Sequence, residues 1–156
     1  MRLLSFVYIT ANNRSLTETA RKLESMKNLK YFLPAAIWII IILVLCTLPG
    51  RDIPTNSFLE QIHFDKFVHF SLFGGIVFFL ALAVYWQRKR VSPALLLLFV
   101  LISASYGLAI EFVQKYYAEG RSFDLYDALA DTIGAIAGVW VFKIVIRLYE
   151  KHWLKK

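Results

Sequence analysis

The sequence predicts an all-α polytopic membrane protein, a bundle of four transmembrane helices with both termini in the cytoplasm. Two observations carry the class and a third the orientation. The 156-residue chain is 58% hydrophobic and only 19% charged, against roughly 45–50% apolar and 25% charged in an ordinary soluble domain. Its apolar residues gather into long runs rather than alternating, as a bilayer crossed by about 20 apolar residues per helix requires. Finally, Lys and Arg fall almost entirely on one side of those runs, which the positive-inside rule assigns to the cytoplasm.

Residues 1–11, MRLLSFVYITA, are apolar but too few to cross a bilayer, and residues 12–30 are polar and basic. Residues 1–30 are therefore expected to form a cytoplasmic segment, interfacial at most. No small-residue cleavage site follows the short apolar stretch, so it does not read as a signal peptide. Met26 opens MKNLKYFLP, a basic start directly before a span, and is a candidate for the start of translation. One transmembrane domain is expected over residues 31–150, with a basic cytoplasmic tail at 151–156.

The first span is expected at about residues 33–48, with Pro34 tolerated in its first turn and Pro49-Gly50 closing it. The second runs from about Phe67 to Trp86. The basic turn Gln87-Arg88-Lys89-Arg90 leads to a third, which Ser92 caps and Pro93 opens. That helix is clear to Ile110 and able to continue through Tyr117. The fourth starts near Asp124 and is securely apolar from Ile133 to Ile146. A fifth crossing or a re-entrant segment between Glu111 and Asp131 is the alternative, but Phe112 to Tyr126 holds too many charges to span unaided.

Of the 18 basic residues, Arg2, Arg14, Arg21, Lys22, Lys27 and Lys30 precede the first span. Arg88, Lys89 and Arg90 lie in the turn between the second and third, and Lys143, Arg147, Lys151, Lys155 and Lys156 close the chain. Only Arg51, Lys66, Lys115 and Arg121 lie opposite, among Asp52, Glu60, Asp65, Glu111, Glu119, Asp124, Asp127 and Asp131. The net charge of +7 is thus a topological signal, and nucleic acid is not an expected partner. Membrane lipids are, and a second copy of the chain is left open. The lone Cys46 can form no internal disulfide.

Polar chemistry gathers on the acidic side. Asp65 and His69, four apart, share a helix face, an arrangement that fixes an imidazole tautomer for base catalysis or joins a metal shell. Glu111 and Gln114 share another face. Asp124, Asp127 and Asp131 form a stripe on the fourth helix, where Asp124 also suits an N-cap. Asp131 lies about 10 Å deeper than Asp124, where an ionised carboxylate needs a partner, a proton or water. Three uses fit. Arg121 and Lys66 could hold a phosphate or carboxylate while His69 or Glu111 moves a proton. Asp124, Asp127, Glu111 and His69 could bind a cation. All could form a structural network instead. The candidate catalytic residues are His69, Glu111 and Asp65; the candidate substrate-binding residues are Lys66, Arg121, Gln114, Asp124, Asp127 and Asp131. No cofactor is identified.

Small-residue faces lie one or two turns from these segments: Gly134 to Gly138, Ser103 to Gly107, and Ser71 to Gly75. They are expected to let helix backbones approach closely in lipid. The first span, with no polar residue between Ala35 and Cys46, is expected to pack peripherally. Trp38, Trp86, Tyr31, Tyr85, Trp140 and Tyr149 read as interface or lipid-facing aromatics.

Two stretches, Asp65-Lys66-x-x-His69-Phe70 with Phe73, and Glu111-x-x-Gln114 leading to Gly120-Arg121-Ser122-Phe123-Asp124-x-x-Asp127-x-x-Ala130-Asp131-Thr132-x-Gly134-Ala135 with Gly138, resemble the VanZ-like family of membrane proteins associated with teicoplanin resistance. The resemblance covers roughly residues 35–145. It implies a multi-helix membrane domain whose signature is Asp65, Lys66, His69, Glu111, Gln114, Arg121, Asp124 and Asp127. Relatives typically carry Asn in place of Asp131, and Pro-Gly in place of Glu119-Gly120. The function expected is binding or modification of a phosphate-bearing, lipid-linked or cell-envelope substrate, linked to glycopeptide resistance. The alternative is a non-enzymatic envelope protein whose polar cluster is structural.

The orientation is checked by reporter fusions. A phosphatase active only outside the cytoplasm is expected to be active when fused after Gly120 and inactive when fused after Lys89 or at the C-terminus.

Overall fold

The computed structural model describes residues 28–49 and 64–153. The expectations for the N-terminal segment before residue 28, for the Met26 start and for the last three residues lie outside them. Among the described residues every regular element is helical. A 3-10 turn, Lys30–Phe32, leads into α1, Leu33–Thr47. Then follow α2, Phe64–Arg88, α3, Pro93–Tyr117, and α4, Leu125–Trp153. Four helices are long and apolar enough to cross a membrane, and the protein is a multi-pass membrane protein. The 25 residues of α2 span about 37 Å at 1.5 Å per residue, which exceeds the ~30 Å hydrocarbon core. This surplus is why α2 and α3 reach past their apolar runs and carry polar residues in helical register.

Local chemistry sets the boundaries. Lys89, at φ 56°, takes the left-handed conformation that ends α2, its N–H donating to Tyr85 O at 2.7 Å. Ser92 caps α3 as expected, its hydroxyl accepting from Leu95 N at 3.3 Å, and Pro93 occupies the first turn. α3 runs through Tyr117, and a turn with Gly120 at φ 76° reverses the chain into α4. The segment between Glu111 and Asp131 is therefore a helix end, a turn and a helix start, with no re-entrant segment. Asp124 is the N-cap, its Oδ1 accepting from Tyr126 N at 2.7 Å. α4 extends to Trp153, so Lys151, His152 and Trp153 are helical.

The central helix is α2, which packs on the other three. Its seam with α4 is built on glycine. A Cβ at Gly74 would meet Gly134 O at 2.8 Å, and one at Gly134 or Gly138 would overlap the backbone of Phe70 or Gly74. The Gly134–Gly138 face thus packs closely as expected, against the backbone of Phe70 and Gly74, and within the Ser71-to-Gly75 stretch it is Gly74 that meets it. Ser71 is exposed and its hydroxyl donates to Phe67 O at 2.8 Å. Gly75 instead receives the Trp38 indole. On the other side, Ser103 Oγ donates to Phe73 O at 3.0 Å, tying α3 to α2.

Helix α1 is the least buried of the four and peripheral, yet pinned. Trp38 Nε1 donates to Leu72 O at 2.8 Å, and Tyr106 OH to Ile39 O at 3.1 Å. Trp38 is therefore a packing residue rather than a lipid-facing one. Tyr85 also departs from expectation: it is buried and its hydroxyl donates to Glu150 Oε1 at 2.7 Å. Trp140, by contrast, is exposed.

Gly138→Val is expected to lower bundle stability by about 1–3 kcal/mol through overpacking. Ala137→Val, one residue away and only half-buried, is expected to change it little. Thermal unfolding in detergent checks the difference.

Candidate functional site

At one end of the bundle α2 and α4 begin and α3 finishes, so their polar terminal turns converge beyond the glycine seam. The first turns of α2 bring Asp65, Lys66 and His69; the last turns of α3 bring Glu111 and Gln114; the connecting loop brings Arg121 and Asp124; and the first turns of α4 bring Asp127 and Asp131.

Two linked networks result. In the outer one, Lys66 Nζ donates to Asp65 Oδ2 at 3.1 Å, Asp124 Oδ2 at 2.8 Å and Asp127 Oδ1 at 2.9 Å. An ammonium has three N–H donors, so all are taken. The inner network is deeper. His69 Nδ1 lies 3.0 Å from Asp131 Oδ1 and 3.9 Å from Glu111 Oε1. Glu111 Oε2 accepts from Asp124 N at 2.9 Å, which joins the two networks. His69 is 2% exposed, Gln114 1%, and Glu111 and Asp131 0%. The Phe73 ring stacks on the imidazole, with centroids 6.1 Å apart.

The Asp65–His69 pair expected from their spacing is not formed. Asp65 faces out at the end of α2 and takes its sequence neighbour Lys66, while His69 turns inward to Asp131 of α4. That contact answers the question raised by Asp131, whose depth demands a partner. Lys66 is likewise committed to carboxylates and is not free to pair with Arg121 around an anion. Arg121 is half-buried in the loop, and its charge bears on the Cys46 thiol. Cys46, buried at the end of α1, is also within electrostatic reach of Asp131, Glu111 and Asp127. Sequence reasoning left both Cys46 and Gly107 out of the site. A Cβ at Gly107 would stand 2.5 Å from Asp131 Oδ2, so this glycine makes room for the carboxylate rather than for a helix backbone. The signal available was Cys46's place at the acidic end of the first span.

Charge is unbalanced in this cluster. Asp65, Glu111, Asp124, Asp127 and Asp131 stand against Lys66, one imidazole and, from the loop, Arg121. Three deeply buried atoms, Glu111 Oε1, Gln114 Nε2 and Asp131 Oδ2, have no hydrogen-bond partner among the described residues. Two sets of side chains could hold a metal ion: His69, Glu111 and Asp127, all buried, and Asp65, Asp124 and Asp127. Within each, one donor atom per residue lies within 4.8 Å of the others. A separate apolar groove of about 350 Å³ runs along the α2–α4 seam from Phe70, Ser71 and Gly134 towards Val141, and none of the cluster residues line it.

The family model described as VanZ/LLP1 matches residues 3–146. The chain belongs to that family. No curated protein and no solved structure matches it.

The hydrogen bond from the Lys66 ammonium holds Asp124 below the usual carboxylate range, outweighing the upward push of burial, and the Tyr126 N–H acts in the same direction. A carboxyl depressed on folding contributes stability above its unfolded pKa and loses it as pH falls through the folded value. Stability is expected to drop on acidification below about pH 4, and Asp124→Asn to remove part of that drop. Lys66→Met, which strands three carboxylates, is expected to cost about 2 kcal/mol near neutral pH, more than loss of the exposed Asp65 charge. Thermal unfolding in detergent across the acid range reads both.

Proposed function

We propose that this member of the VanZ/LLP1 family sits in the bacterial inner membrane with both termini in the cytoplasm. Its polar cluster then faces the extracytoplasmic side, where it binds or modifies a phosphate-bearing, lipid-linked or cell-envelope substrate. The observation that carries this reading is the set of orphaned atoms around His69. A network kept only for structure satisfies its members, because each buried polar group left unpaired costs about 1–3 kcal/mol. Here Glu111 Oε1, Asp131 Oδ2 and Gln114 Nε2 are all unmatched, in one cluster that contains a histidine. That favours a ligand site over the structural alternative.

The roles follow from position. His69 is the group that moves a proton: a hydrogen bond at 3.0 Å to Asp131 Oδ1 requires one proton between them, and Glu111 Oε1 at 3.9 Å offers a second acceptor. Asp131 orients the imidazole. Arg121, in the loop at the rim, presents the forked donor suited to phosphate, and the Gln114 amide is a neutral donor deeper in. Lys66, Asp65 and Asp124, with one oxygen of Asp127, hold the helix ends together, so their part is positioning. The lipid-linked class is supported by the apolar groove on the α2–α4 seam, which begins at the level of Phe70 and Gly134. A lipid chain lying there places its headgroup beside the cluster. The link to glycopeptide resistance rests on the family resemblance.

Mass analysis of envelope lipids in cells carrying wild-type protein, His69→Gln or Arg121→Ala tests this. Both variants are expected to shift the same lipid-linked species, and to alter teicoplanin susceptibility together. Unchanged lipids and susceptibility, with normal amounts of each variant in the membrane, would leave the structural network as the reading.

A further inference from the structure

We infer that His69, Glu111 and Asp127 form a binding site for a divalent transition-metal ion of the zinc or manganese type. The three come from different helices, α2, α3 and α4, and all are buried, at 2%, 0% and 7% exposure. One donor atom from each lies within 4.8 Å of the others. Three ligands at about 2.0–2.2 Å from one ion, at tetrahedral to trigonal angles, stand roughly 3.3–3.8 Å apart. Closing the set around an ion therefore draws the donors together by up to about 1 Å, which side-chain rotations supply.

Three further observations point to a cation here. Glu111 Oε1 is deeply buried without a hydrogen-bond partner, and it is the Glu111 oxygen that faces His69 at 3.9 Å. Asp131 Oδ1 lies 3.0 Å from that same His69 nitrogen, so an ion entering between His69 and Glu111 takes the place of the proton held there. The other Asp131 oxygen, Oδ2, is also unpartnered. The surplus of carboxylates over cations is relieved by a divalent charge, whereas an anion entering unaided is repelled.

The neighbouring set of Asp65, Asp124 and Asp127 offers the same proximity, but the Lys66 ammonium already bonds all three of its members, whereas in the buried set it bonds Asp127 alone, through Oδ1. The protein's own cation fills that outer position. One nitrogen with two carboxylates selects borderline divalent ions over Mg²⁺ or Ca²⁺, which take oxygen alone. Three protein ligands leave coordination positions for a further oxygen. Where the reading of a phosphate-bearing substrate holds, on which this part of the inference rests, the metal supplies the positive charge that Lys66 cannot, and His69, once a ligand, no longer carries the proton.

The experiment uses the full chain purified in detergent, stripped with chelator and titrated with Zn²⁺, Mn²⁺ and Mg²⁺ by calorimetry, thermal shift and elemental analysis. Zn²⁺ or Mn²⁺ is expected to bind at about one equivalent per chain and raise the melting temperature, with Mg²⁺ much weaker. His69→Ala and Glu111→Gln are each expected to weaken binding by roughly tenfold or more, the scale seen even for outer-shell losses. Asp65→Asn, which touches only the ammonium-filled set, is expected to leave affinity within about twofold of wild type. Melting curves without metal show that each variant is folded. Absence of binding by the wild type, or loss of binding in Asp65→Asn but not in Glu111→Gln, overturns the site. Metal bound with envelope lipids unchanged keeps the site and removes the substrate reading; lipids altered by the variants with no metal bound removes the site and keeps that reading.

Discussion

Gly74, Gly134 and Gly138 let α2 and α4 meet backbone to backbone, and the arrangement of the polar end depends on that contact. In lipid no hydrophobic force draws helices together, so packing and interhelical hydrogen bonds set their association. With side chains absent at the crossing, the helix axes come close enough for Lys66 to reach Asp124 and Asp127, and for His69 to reach Asp131. These pairs lie one to three turns from the glycines along each helix, where a change of an ångström in helix separation would break a 2.8 Å ion pair. The seam and the ion pairs therefore support one another: apolar packing holds the charges in register, and the charges tie the helix ends.

Gathering five carboxylates at the end of an apolar bundle, with Glu111, Asp127 and Asp131 buried, is costly, and the structure disposes of the cost by depth. Asp65 and Asp124, nearest the end, are partly exposed and share the Lys66 ammonium with Asp127. Glu111 spends one oxygen on the Asp124 backbone N–H, which fixes the start of α4 relative to the end of α3. Among the described residues, the deepest atoms, on Asp131, Glu111 and Gln114, are the buried ones left unmatched. The gradient runs from satisfied at the rim to unsatisfied inside, and the histidine stands at the unsatisfied end. Networks that serve structure alone show no reason for such a gradient, since the deepest groups gain most from being paired.

The helices were legible because bilayer crossing imposes long apolar runs, and the basic turn, Ser92 cap and Asp124 cap mark their ends chemically. The membership of the polar cluster was legible for a related reason: charged residues gathered on one side of the spans must meet at one end of a small bundle. Which groups pair was not. Spacing within a helix says which residues share a face, as Asp65 and His69 do, but not which neighbour that face meets. His69 faces α4 and Asp65 faces out, because α2 turns its His69 side towards the bundle interior. The same gap hid Gly74 behind the Ser71-to-Gly75 pattern and made Trp38 look lipid-facing. A glycine pattern shows where a backbone can be approached; in the folded chain Gly75 is approached by an indole and Gly107 by a carboxylate.

Asp131 is one of two places, with Glu119-Gly120, at which this chain departs from the pattern its family resemblance implies, Asn being expected there, and the geometry says what the departure does. An Asn side chain could keep the contact with His69 through its carbonyl oxygen and would place an amide where Asp131 Oδ2 now lies beside Gly107. It would add a donor and no charge. The carboxylate preserves the contact but adds a negative charge and an unmatched acceptor at 0% exposure. A charge at that depth is compensated by a proton shared with His69 or by a cation drawn between His69, Glu111 and Asp127. Both outcomes concentrate positive charge in the same few cubic ångströms. The substitution therefore strengthens the demand of this cluster for a proton or a metal without altering the packing that builds it.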